Sequence, residues 1–88
     1  MDLDIKIKHA AIEALSELNI TNTTFSDAIP DQASDRWSVH FKEETGRYYQ
    51  VVIDTAEILS RFGTTDVDGI RKDIIRKLRA RDPNNYMD

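Results

Sequence analysis

Side-chain catalysis or metal binding needs a nucleophile beside a base, a pair of carboxylates in a cleft, or a cluster of imidazoles, thiols and carboxylates at ligand spacing. The chain contains two histidines, His9 and His40, and no cysteine. Without a thiol there is no cysteine nucleophile, thiolate metal site or disulfide, so stability must come from packing. His9 and His40 fall in different expected elements, and no carboxylate stands at a helical spacing that would make a metal site with both. Each therefore reads as a surface residue. The serines lack a G-x-S-x-G setting. Gly46, Gly63 and Gly69 are accounted for by a turn, a helix stop and a helix start, which leaves none for a phosphate loop or a dinucleotide fingerprint. Asp66-Val67-Asp68-Gly69 has part of the alternation of a calcium loop. Aligning Gly69 with the loop's invariant glycine, however, puts Thr64 at the first ligand position and Ile75 where the bidentate glutamate belongs. No catalytic, metal or cofactor site is expected, and an enzyme is not expected.

What remains is charge and exposed surface. Residues 69–81 carry Arg71, Lys72, Arg76, Lys77, Arg79 and Arg81 against Asp73 alone, a local balance of +5, while the rest of the chain carries −9. On a helix, Lys72, Arg76 and Arg79 share an edge opposite Ile70, Ile74 and Leu78 and form a basic ridge. Such a ridge suits a phosphate backbone, with Arg71 and Lys77 assisting, or an acidic protein surface. It equally suits a helix whose C-terminal cations complement its dipole. The net charge of −4 and pI near 5.1 weigh against nucleic acid, because the remaining carboxylates repel a duplex beyond the patch.

The elements that would position these groups follow from periodicity. Ile5, Ile7, Ala11, Ala14, Leu15 and Leu18 recur at helical spacing over 4–18, with Asp2 or Asp4 as a cap, so an amphipathic helix is expected there. Residues 19–35 are rich in Asn, Thr, Ser and Asp and read as a long loop; Thr23-Thr24-Phe25 has the composition of a short edge strand whose pairing Pro30 limits. Two matches to the glycosylation acceptor pattern, at Asn19 and Asn22, are read as chance without a secretory signal.

Residues 36–43 alternate Trp37, Val39 and Phe41 against Arg36, Ser38, His40 and Lys42, and 47–54 alternate Tyr49, Val51 and Ile53 against Tyr48, Gln50 and Val52. With Gly46 between them they predict an antiparallel hairpin. Asp54-Thr55-Ala56-Glu57 is a capping box opening a short helix that turns Ile58, Leu59 and Phe62 inward and stops at Gly63. Thr65-Asp66-Val67-Asp68 repeats the pattern before a longer helix ended by Asp82-Pro83. The segment 84–88 is expected to be a flexible tail unless Tyr86 docks.

These elements predict an α+β class: one domain over 1–83, ordered helix, long loop, hairpin, short helix and longer helix, with helices on one sheet face. The expected core is Leu15, Leu18, Trp37, Val39, Phe41, Tyr49, Val51, Ile53, Ile58, Phe62, Ile70, Ile74 and Leu78. No apolar run approaches the roughly 20 residues that cross a bilayer. The expected function is a non-enzymatic cytoplasmic interaction module, a regulatory or adaptor protein docking on another protein or on its own copy. Candidate contact residues are Arg36, His40, Lys42, Tyr48 and Gln50 on the sheet and Lys72, Arg76 and Arg79 on the long helix. The alternative is nucleic-acid binding by that helix.

Overall fold

A computed structural model describes residues 2–87. Helix α1 (Leu3–Glu17) precedes three strands, β1 (Thr23–Pro30), β2 (Arg36–Glu43) and β3 (Tyr48–Asp54). Helices α2 (Thr55–Phe62) and α3 (Val67–Ala80) follow, then a 3-10 turn (Pro83–Asn85) and a short strand β4 (Tyr86–Met87). The sheet is antiparallel in the order β1-β2-β3-β4, which makes the chain an α+β domain.

The hairpin has the register that alternation predicts: Val39 faces Val51, Phe41 faces Tyr49 and Trp37 faces Ile53. These side chains form the inner face, buried with Ile7, Ala10, Ala11, Ala14 and Leu15 of α1, Ile58 of α2 and Ile70, Ile74, Ile75 and Leu78 of α3. Leu18, Trp37 and Phe62 sit partly buried at the margin of this core.

Three placements differ from expectation. Ile5 is 43% exposed, because it lies on the opposite side of α1 from Ile7 at about 100° per residue. Leu59 is 54% exposed for the same reason, since Ile58 and Phe62, four apart, take the inner face of so short a helix. The edge strand expected at Thr23-Thr24-Phe25 is present, but it runs on through the expected loop as β1, paired with β2 along its length and ending at Pro30, where the lost N–H falls at a strand terminus. A bulge between Phe25 and Asp27 lets Phe25 pair with Phe41 and Ala28 with Val39, both on the inner side although three residues apart. That offset hides the strand's two-residue period.

The helix ends show what competes for each carboxylate. Asp54 caps α2 through bonds from the Ala56 and Glu57 backbone N–H, and Gly63 closes it in the left-handed conformation. Glu57 does not complete the box; its carboxylate meets Arg61 and Arg76 instead. Asp66 precedes α3 without a side-chain cap because its Oδ1 takes the Lys6 ammonium at 2.8 Å, tying α3 to α1. Asp2 likewise makes no cap bond to α1. Helix α3 ends at Ala80, and Arg81 turns left-handed ahead of Asp82-Pro83.

Tyr86 docks, which is the condition for order in the C-terminal segment. It pairs with Tyr49, stacks edge-on against its ring at 5.0 Å and donates its hydroxyl to Glu43 at 2.8 Å. Residue 88 of the expected tail lies outside the described residues.

Candidate interaction surface

With all three helices on the inner face, the opposite face of the sheet carries side chains in cross-strand rows. In the central row His40 of β2 lies between Asp27 of β1 and Gln50 of β3: its Nδ1 is 2.6 Å from Asp27 Oδ1, and its Nε2 is 3.2 Å from Gln50 Oε1. An imidazolium donates to both oxygens. A neutral ring protonated at Nδ1 accepts at Nε2, and the Gln50 amide then turns to present its NH2. Either way the imidazole is held from both sides and its side chain is only 12% exposed.

The row to one side is Ile29, Ser38 and Val52, with both aliphatic residues exposed, at 50% and 41%. To the other side Thr24, Lys42, Tyr48 and Met87 line up across all four strands, with the Lys42 ammonium 5.8 Å from the centre of the Tyr48 ring. Arg36 lies at the end of the face with Nε 3.8 Å from Asp54. The five sheet candidates, Arg36, His40, Lys42, Tyr48 and Gln50, thus share one face. Asp27 and Ile29 belong with them, but the bulge in β1 left no period from which to place them.

The α3 candidates are arranged differently. Lys72 meets Asp68 at 3.2 Å, and Arg76 meets Asp73 at 2.9 Å and Glu57 at 3.2 Å. Arg71 pairs with Asp68 and with Glu17 at 3.5 Å. Lys77 Nζ sits 2.9 Å from Asp73 Oδ2, a charge contact outside hydrogen-bonding geometry, and donates to the Val52 carbonyl at 2.7 Å. Arg79 is exposed and makes no ion pair among the described residues. The ridge is therefore largely neutralised by carboxylates that the sequence scatters over α1, α2 and α3. Asp73 is fully buried at the centre of this network. Its spacing of three and four residues from Arg76 and Lys77 was the available signal.

Several exposed carboxylates are held acidic by their neighbours. Hydrogen bonds from Lys72 and then Arg71 keep Asp68 below the ordinary aspartate range, and Lys6 does the same for Asp66. Asp31 is lowered chiefly by the backbone N–H of Ala33, then by Ser34. A carboxylate with a depressed folded-state pKa stabilises the fold at pH above its unfolded value of 3.8, and that contribution disappears as pH falls through the folded value. We expect the urea midpoint to fall as pH drops from about 5 towards 2, and Lys6→Met to shrink the drop. A midpoint flat across that range would refute the assignment.

Depressions on the surface are shallow. One of about 240 Å³ runs between α1 and β1 beside Ile5, Lys8, Phe25 and Asp27, and another of about 400 Å³ lies beside Glu13, Glu17 and Arg71. Among the described residues no three metal-binding side chains cluster, and no helix is long and apolar enough to cross a membrane. No family model, curated protein or solved structure matches this chain.

Proposed function

We propose that this domain is a non-enzymatic cytoplasmic interaction module, a regulatory or adaptor protein that docks through the outer face of its sheet. The observation that carries the reading is that this face lies opposite all three helices and yet is already ordered. His40 is bonded to both neighbouring strands, Lys42 rests on Tyr48, and Ile29 and Val52 stand exposed on either side of Ser38. Side chains fixed before contact lose little freedom on binding, and exposed aliphatic groups supply area to desolvate.

Strand addition at the sheet edges is the less favoured mode. Edge strand β1 is bulged and ends in proline, both devices that discourage pairing. The free side of β3 is occupied by β4 over Tyr48 and Tyr49 and by the Lys77 ammonium at Val52. The test is Ile29→Asp with Val52→Asp. Both sites are exposed, so each change is expected to alter stability by only about 0.5 kcal/mol. Partner capture from native lysate with nuclease present, and any self-association seen by light scattering, should be lost. Retention of every partner by the double variant would sink the reading.

The nucleic-acid alternative is disfavoured by the carboxylates that pair Lys72 and Arg76. We expect no retardation of DNA or RNA at low salt. Salt-sensitive retardation abolished by changing Lys72, Arg76 and Arg79 to glutamate would reinstate it.

A further inference from the structure

The C-terminal strand is held by one compact cluster. Glu43 Oε2 accepts from the Tyr86 hydroxyl at 2.8 Å and from Arg81 Nη1 at 3.1 Å, and Arg81 Nη1 also lies 3.1 Å from the Tyr86 hydroxyl. The Arg47 guanidinium lies 4.2 Å from the centre of the Tyr86 ring, which also makes an edge contact with the Tyr49 ring at 5.0 Å. Glu43, Arg47 and Tyr49 thus form a receptor on the hairpin for a short strand bearing an aromatic hydroxyl. The strand pairs over only two residues, so its hold depends on this cluster more than on backbone bonds.

The connection to that strand is strained. Arg81 adopts φ 44° and ψ 54°, a left-handed conformation that costs a non-glycine residue stability. Its N–H still reaches the Lys77 carbonyl, so the backbone is helical up to the residue where it turns. Returning Arg81 to helical angles removes the strain and swings Asp82 and everything after it away from the chain's own β3.

We infer that β4 is an exchangeable strand: the receptor formed by Glu43, Arg47 and Tyr49 takes the Tyr86 segment of its own chain when Arg81 is bent and that of a second copy when α3 runs on through Arg81. The occupant is a second copy because the segment that demonstrably fits the receptor is the chain's own, and exchange reproduces the contacts of Tyr86 with Glu43, Arg47 and Tyr49 while relieving the strained Arg81 of each chain. The receptor residues Glu43, Arg47 and Tyr49 are not among the outer-face candidates, although Met87 of the same strand borders that face, and the inference does not depend on the docking proposed there.

The test is sedimentation of the full-length chain over a wide concentration range, combined with isotope-filtered NMR on a mixture of differently labelled copies. A concentration-dependent dimer with intermolecular contacts between the Tyr86 and Tyr49 rings is expected. Arg81→Gly relieves the strain without exchange, and Arg81→Ala loses the same side-chain contacts to Glu43 and Tyr86 while keeping the left-handed cost, so the glycine variant should dimerise at least roughly thirty-fold less tightly than the alanine variant, the equivalent of about 2 kcal/mol over two chains. Tyr86→Ala should abolish the dimer, because the strand then docks on neither chain, and Tyr86→Phe, which keeps the ring packed and alters the closed monomer and the exchanged dimer alike, should leave its affinity nearly unchanged. A monomer at every concentration overturns the inference. So does a dimer that survives both Arg81→Gly and Tyr86→Ala, since it would use another surface.

Discussion

Replacing Asp73 by alanine is expected to lower stability by about 2 to 3 kcal/mol, and to lower the melting temperature by roughly 10 to 20 °C for a domain of this size. Asp73 is fully buried and faces two cations, Arg76 and Lys77. Removing one partner of a buried pair costs about 3 to 5 kcal/mol when the other charge is stranded. Here the stranding is incomplete: Arg76 keeps Glu57, Lys77 keeps the Val52 carbonyl, and both heads reach solvent, so the lower figure applies. Asp73→Asn keeps the shape and removes the charge, and should recover only part of the loss. Urea denaturation with an unchanged slope and a shifted midpoint is the readout. A loss below about 0.5 kcal/mol, typical of a surface site, would show that the network contributes no more than an exposed ion pair.

Gly69→Ala should also destabilise, by about 1 to 2 kcal/mol, although alanine is the better helix former by about 1 kcal/mol. A β-carbon at Gly69 would lie 2.3 Å from the Thr64 carbonyl oxygen and 3.0 Å from its side-chain methyl. The oxygen belongs to backbone entering α3, which does not swing aside as a side-chain tip does. Overpacking of this kind costs about 1 to 3 kcal/mol even after relaxation, and here it outweighs the propensity gain. Gly69→Ser should be similar. A gain in melting temperature for Gly69→Ala would mean that the turn at Thr64 yields freely.

Both positions mark the limit of local reading. Gly69 looks in sequence like a residue accommodating a helix start, and its actual constraint is a carbonyl five residues earlier brought close by the turn between α2 and α3. Asp73 looks like a stray acid in a basic stretch. The hairpin was legible because its alternation over β2 and β3 is unbroken and both strands present the same inner face, so register followed from burial. Only the Thr23-Thr24-Phe25 start of β1 was legible, and its continuation was hidden by one extra residue, which changes the face of everything after Phe25. The sheet half of the candidate surface was legible with the hairpin, and its Asp27 and Ile29 edge disappeared with that continuation.

The sequence alone determined the class of the domain, the hairpin, the two capped or glycine-closed ends of α2 and the want of any recognisable catalytic motif, because each is a short-range property of neighbouring residue types. Tertiary structure decided the rest: which carboxylates neutralise α3, where β1 lies and how Tyr86 fastens the C-terminus. Ion pairs join residues as far apart as Lys6 and Asp66, or Glu43 and Arg81, and no local period encodes a meeting that depends on how helices cross a sheet.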